Sequence, residues 1–429
     1  MSSASFSIVP SSILLQSILP FLSIKETLRF DSAMSDKSYR EEVSRQLTNY
    51  VNSTLSEESI GLKAFEWLVK REAVITRLNF RSKDDKAALI SKLPELLSAC
   101  NDTMTELSFD ITPVKAVMAI CPSLRNLELF RLIAPRIHAC LRDFWPLHPA
   151  LKHVALSGDL RRNSEVVRKL AENCAQLVFF ELNSNINDRD IDAIATHCPM
   201  LERVYLEAYI SRYDLLTTDT LTKLVTNCVR LRHLCLSGFV HLSDDTIGAI
   251  APHLPLIEHL NLTGWKLITD ASIAILALNC PLFTELTLIG CEQLTDISIV
   301  SIVEHCHHLQ SIDITQCPLV TKAGYLQLKT IPTLTAITML DYRRTAHVVN
   351  PHRETGDETG FANLLQVVEI ANKPYVYSGD IYASDDEDDY GNGSYWSDYD
   401  YFSGYHSDDR QSNFMNDFNY LSTFDYDND

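Results

Sequence analysis

The sequence predicts an α/β solenoid, with a curved parallel sheet inside and helices outside. Three observations predict it. First, a phrase of the form Cys-x-x-Leu-x-x-Leu-x-Leu returns every 24 to 30 residues through the middle of the chain. Cys228, Leu231, Leu234 and Leu236 make one copy, Cys280, Phe283, Leu286 and Leu288 another, and Cys306, Leu309, Ile312 and Ile314 a third. Second, Leu-x-Leu has period two, so both side chains face one side of a short strand. Third, the following half of each copy has helical spacing: Ile247 and Ile250, Ile273 and Leu276, and Ile299 and Ile302. A unit of this size cannot bury its own apolar face and must stack on its neighbours.

Composition bounds the rest. At 429 residues and 46% hydrophobic content, the chain has room for several domains and a substantial core. The net charge is −19, but residues 380–429 carry 14 Asp or Glu against one Arg, Arg410, so −13 is local and about −6 remains. That balance argues against a nucleic-acid binder, which needs clustered Lys and Arg. The 11 cysteines are odd in number and recur at the repeat period rather than in close pairs, which fits a reducing compartment, cytoplasmic or nuclear. Ile8 to Ile24 lacks a basic leader and is interrupted by Ser11, Ser12, Gln16, Ser17 and Pro20, so it is not read as a signal peptide. No stretch approaches the length of a membrane span.

Residues 8–47 are the first element and are not repeats. Ile13, Leu14, Ile18, Leu19 and Leu22 follow helical spacing, and Leu28 and Phe30 open a second helical stretch. The run Leu14-Leu15, Ile18-Leu19, Leu22, Glu26 and Leu28 resembles an F-box, with Pro10 one residue early and Ala33-Met34 in place of the usual Val-Cys. The resemblance implies a module that docks on the Skp-type adaptor of a cullin-RING ubiquitin ligase, with Ile13, Leu14, Ile18, Leu19 and Leu22 making the adaptor contact. An amphipathic helical hairpin would bury these leucines in a partner groove. The same residues also suit a helical cap over the first repeat, which a solenoid end needs. Residues 48–72 carry a helical pattern through Leu62, Phe65, Trp67 and Leu68 and join the two parts.

Residues 73–345 hold eleven candidate strands. Their apolar pairs are Leu78 with Phe80, Leu107 with Phe109, Leu127 with Leu129, Val154 with Leu156, Phe180 with Leu182, Val204 with Leu206, Leu234 with Leu236, Leu260 with Leu262, Leu286 with Leu288, Ile312 with Ile314, and Ile337 with Met339. Thr269-Asp270, Thr295-Asp296 and Ser243-Asp244 precede helices, placing a hydroxyl at the N-cap and an acid against the helix dipole. Cys280-Pro281 through Gly290-Cys291 to Leu294-Thr295-Asp296 is similar to the cysteine-containing class of leucine-rich repeats, and the resemblance covers roughly 70–345. Strands about 4.8 Å apart would give eleven copies an inner edge on the order of 50 Å. The repeat cysteines read as small apolar residues at the start of each strand. His305-Cys306-His307-His308 looks like a zinc cluster, but Cys306 is a repeat cysteine and adjacent ligands on one loop suit tetrahedral zinc poorly, so no metal or other cofactor is expected.

Residues beside the leucines should point into the concave face. In the middle copies they are aromatic and charged, which suits a protein hot spot. Phe130, Phe179, Glu181, Arg203, Tyr205, Glu207, Tyr209, His233, His259 and Trp265 are the expected contacts for a protein substrate. Tyr209 lies in the enlarged loop of a 30-residue copy, and Trp265 sits just after its strand.

After Met339 the pattern stops. Residues 346–377 read as a cap or linker, with Phe361 to Ile370 as one helix. Residues 378–429 are acidic and rich in Tyr and Ser, a composition that does not fold alone. No Gly-rich phosphate loop, His-Glu-x-x-His or nucleophile elbow occurs, so no catalytic residue is assigned. Two functions fit. One is a non-catalytic substrate receptor of an SCF-type ubiquitin ligase, partnered by a Skp-type adaptor, a cullin and a protein substrate. The other is a repeat scaffold for a regulatory protein, without ubiquitin chemistry.

Overall fold

The structure is a computed structural model that describes residues 76–81, 100, 102–110, 124–137, 139–160, 163, 165–208, 216–340, 346–353 and 360–366. Ile13, Leu14, Ile18, Leu19 and Leu22, the linker at 48–72, Tyr209 and the acidic tail lie outside the described residues.

Among the described residues, twelve strands form one sheet whose spatial order is the chain order. They are β1 (Arg77–Arg81), β2 (Glu106–Asp110), β3 (Leu129–Arg136), β4 (His153–Asp159), β5 (Phe179–Ser184), β6 (Arg203–Ala208), β7 (His233–Ser237), β8 (His259–Asn261), β9 (Glu285–Thr287), β10 (Ser311–Asp313), β11 (Ala336–Leu340) and β12 (Ala346–Val349). Neighbours from β1 to β11 run parallel, and β12 returns antiparallel on β11. Helices separate the strands: α1 (Leu141–Phe144), α2 (Glu165–Asn173), α3 (Asp188–His197), α4 (Thr218–Asn227), α5 (Asp244–Ile250), α6 (Asp270–Asn279), α7 (Asp296–His305), α8 (Lys322–Leu328) and α9 (Phe361–Leu364). This is an α/β leucine-rich-repeat solenoid.

Register explains why the phrase works. Val154, Phe180, Val204, Leu234, Leu260, Leu286 and Ile312 are paired in one row across the sheet, and all are buried. Leu156, Leu182, Leu206 and Leu236 form the row beside it. Each such side chain contributes roughly 1.5–3 kcal/mol by leaving water. The backbone carbonyl just before each strand accepts two N–H groups from the next copy. Glu202 O, for example, takes Arg232 N at 2.9 Å and His233 N at 3.1 Å, and Arg232 O takes Glu258 N at 2.7 Å and His259 N at 2.9 Å.

The strand expected at Leu127 and Leu129 is shifted. In β3 the core pair is Phe130 and Leu132, in register with Val154 and Leu156. The phrase here is Leu124-x-x-Leu127-x-x-Phe130-x-Leu132, three residues later than the one anchored on Cys121. An odd shift exchanges the two faces of a strand. Phe130 therefore belongs to the core, at 1% exposure, packed between Phe144 at 4.9 Å and Trp145 at 5.7 Å between ring centroids. It is not a concave contact; its neighbour Leu129 takes the row of His153 instead.

The turns after β7 to β10 repeat as closely as the strands. Gly238, Gly264, Gly290 and Gln316 all have positive φ, at 87°, 80°, 69° and 58°. At Gly238 a Cβ would stand 2.8 Å from the carbonyl oxygen of Ala208, so a side chain there meets backbone of the previous copy. The following residue points inward in each case: Phe239, Trp265, Cys291 and Cys317 are all buried. Trp265 is thus structural, not a surface contact. Its indole Nε1–H donates to Leu236 O at 2.6 Å, the role that the Cys291 thiol performs toward Leu262 O at 3.4 Å and the Cys317 thiol toward Leu288 O at 3.1 Å.

The acids at the helix starts also act between copies. Asp270 accepts from Thr295 N at 2.9 Å, Thr295 Oγ1 at 2.7 Å, Ser298 N at 3.1 Å and Ser298 Oγ. Asp244 accepts from Thr269 and Ser272, and Asp296 from Thr321, in the same way. Thr269, Thr295 and Thr321 cap α6, α7 and α8, whereas the Ser243 side chain makes no cap hydrogen bond. Every described cysteine is a free thiol. The repeat cysteines Cys174, Cys198 and Cys228 donate to carbonyls of the preceding copy, at His148, Cys174 and Cys198, and burial pushes each thiol up to about 12.

At the C-terminal end, β12 covers the edge of β11, and Phe361 and Leu364 of α9 join the core cluster with Lys329 over the Phe361 ring.

Candidate functional site: the concave face

The parallel register lines up the residues between the core positions. In β4 to β9 one row reads His153, Phe179, Arg203, His233, His259 and Glu285. A second row, two residues further along each strand, includes Glu181 and Tyr205, and a third pairs Asn183 with Glu207. Side chains on adjacent parallel strands sit close enough to stack. His153 faces Phe179 with centroids 6.2 Å apart, and Phe179 faces Tyr205 at 5.4 Å. His233 and His259 stack at 3.9 Å with 23° between their planes.

These rings shield one another. Phe179 is 4% exposed and His233 6%, while Glu181, Arg203, Tyr205, Glu207 and His259 remain half-buried. Asn183 Nδ2 donates to Glu207 Oε2 at 2.9 Å and fixes that carboxylate. Of the residues expected from sequence, the strip brings together Phe179, Glu181, Arg203, Tyr205, Glu207, His233 and His259; Phe130 and Trp265 belong to the core.

Burial sets the protonation of the strip. Desolvation, followed by Lys152 and Arg203, holds His153 down at about 4, against the pull of Glu128. Desolvation, then His259, Arg203 and Arg232, holds His233 at about 2. The hydrogen bond from His259 keeps the exposed Glu285 below the usual carboxylate range, against a smaller desolvation effect. His233 is therefore a neutral imidazole at neutral pH.

One feature was not singled out from the sequence. One donor atom each from His233, Glu258 and His259 lies within 4.8 Å of the others, and this is the one such group among the described residues. The signal was present: His233 and His259 occupy the same position in consecutive copies, 26 residues apart. His305-Cys306-His307-His308 forms no such group. Cys306 is buried and the His305 ring lies 3.0 Å from Ser301 O.

No family model matches the chain. No curated protein matches it either. Solved structures do. A chain in the crystal structure of the Rad7 and Elc1 complex in yeast is similar at a TM-score of 0.52 and 18% identity, covering 78% of this chain and 87% of that one. A chain of the TLR13–ssRNA13 complex matches at a TM-score of 0.34 and 10% identity, over 63% of this chain and 33% of that one. The first of these supports the solenoid fold. No described helix is long and apolar enough to cross a membrane.

Proposed function

We propose that the chain is a non-catalytic recognition subunit of a cullin-RING ubiquitin ligase. The concave strip from β4 to β8 holds a protein substrate, and residues 8–47 dock a Skp-type adaptor. The observation that carries the binding role is the strip itself: stacked aromatic rings flanked by Glu181, Arg203 and Glu207 across adjacent strands. Five strands about 4.8 Å apart span roughly 20 Å, a width that suits a polypeptide. Aromatic and Arg anchors beside charged groups are the composition of protein hot spots.

Two observations support the adaptor role. Ile13, Leu14, Ile18, Leu19 and Leu22 resemble the docking face of an F-box, and the fold matched at 18% identity comes from a complex between Rad7 and Elc1. The test is co-elution of the purified full-length chain with a Skp-type adaptor by size exclusion. The wild-type chain should form a stable complex, and Leu14→Asp combined with Leu19→Asp should abolish it while the circular dichroism spectrum is unchanged. A wild-type chain that elutes apart from the adaptor overturns the ligase role.

A further inference from the structure

We infer that His233, Glu258 and His259 form a binding site for one divalent transition-metal ion of the zinc class, bridging two consecutive repeats on the concave face. The inference is independent of whether residues 8–47 dock an adaptor.

The geometry comes from the repeat. His233 and His259 are in register on β7 and β8, and Glu258 immediately precedes β8. The three donor atoms already lie within 4.8 Å of one another. Tetrahedral zinc with bonds of about 2.0–2.1 Å needs donors roughly 3.3 Å apart. Adjacent strands are fixed about 4.8 Å apart, so side-chain rotation alone closes the difference. The rings now stack, and coordination turns them toward a common point.

Two further observations point to a ligand. The first is His233 Nδ1, which is buried without a hydrogen-bond partner on a side chain only 6% exposed. Leaving such an atom unpaired is costly, and coordination would satisfy it. The second is the outer support of the group. His259 Nδ1 lies 2.8 Å from Glu285 Oε2, which orients the ring and leaves Nε2 as the donor. A carboxylate behind a ligating histidine is the usual second layer of a zinc site. Arg232 pairs with Oε1 of Glu258 and restricts its rotamers in turn.

Donor chemistry selects the ion. Two imidazoles and one carboxylate suit zinc and its neighbours rather than magnesium or calcium, which take oxygen sets. Three protein ligands leave the fourth position of a tetrahedron to water or another donor in the groove.

The test uses the full-length chain with zinc chloride by isothermal titration calorimetry, and cobalt(II) chloride for the absorption spectrum. The proposal expects one tight equivalent. It also expects a tetrahedral cobalt spectrum without the thiolate charge-transfer band that a cysteine site would give. His259→Gln and Glu258→Gln should each weaken zinc binding at least tenfold, and Glu285→Gln on the order of 10–100-fold. His307→Ala with His308→Ala should leave binding unchanged. His259 and Glu258 are half-exposed, so their variants should retain the wild-type melting profile without metal. No zinc uptake at micromolar concentration, or uptake that survives both His259→Gln and Glu258→Gln, overturns the proposal and leaves the two rings as a stacked step of the aromatic ladder.

Discussion

Trp265 shows how one position can serve the same purpose with different chemistry. The residue after the left-handed turns at Gly264, Gly290 and Gln316 sits against the carbonyl of the second core leucine in the copy before it. An indole N–H satisfies that carbonyl at Leu236, and a thiol does so at Leu262 and Leu288. From sequence, a tryptophan just outside a strand reads as a surface anchor, because periodicity does not reveal that the turn folds back inward. Its equivalence to Cys291 and Cys317 at 26-residue spacing carried the correct reading. Trp265→Phe keeps most of the volume and removes the donor, so it should cost about 1–3 kcal/mol. Trp265→Ala also opens a cavity and should cost about 3–5 kcal/mol. Urea unfolding of both variants measures this. A Trp265→Ala chain with wild-type stability would return the residue to the surface.

At the scale of elements, strand order and helix positions were legible because period two and period 3.6 alternate cleanly from β4 onward. The strand at β3 was misplaced because two phrases overlap there, and Cys121 supplies a false anchor three residues early. The β12 return was not legible, since Ala346–Val349 lies beyond the last repeat and carries no repeat signal. Thr269 and Thr295 were read correctly as hydrogen-bonded caps and Ser243 was not one, while none of the helix starts was read as a tie to the next copy. A local rule sees the hydroxyl and the acid of one helix and cannot see that Asp270 receives Thr295 and Ser298 from the next. Burial raises the Asp270 carboxyl, but the hydrogen bonds from Ser298 and Thr295 outweigh it and leave it below the usual value. A depressed carboxylate stabilises the fold above its unfolded value near about 3.9 and loses that contribution as pH falls through the folded value. Asp270→Ala should therefore cost about 1–2 kcal/mol at pH 7. The gap from wild type should narrow between pH 5 and pH 3, as read by thermal unfolding at each pH. A gap that does not change with pH would mean that Asp270 contributes only shape.

At the scale of the whole molecule, stacking makes a groove as a by-product of burying leucines. The same register that aligns Val204 with Leu234 aligns Arg203 with His233 on the other side of the sheet. Face alternation made the location of the strip legible in the sequence. It did not reveal that Phe179 and His233 are largely closed off by neighbouring rings, nor that Glu258 joins two histidines, because both depend on distances between copies. On the helical side Leu278 and Ile297 are exposed. The most direct measurement is site-specific photo-crosslinking in cells, with a photoreactive amino acid at Glu181 or Tyr205 on the strip and at Leu278 or Ile297 on the helices. Cross-linked substrate from positions 181 and 205 and none from 278 and 297 is the predicted result. Cross-links confined to the helical positions would contradict a concave binding face.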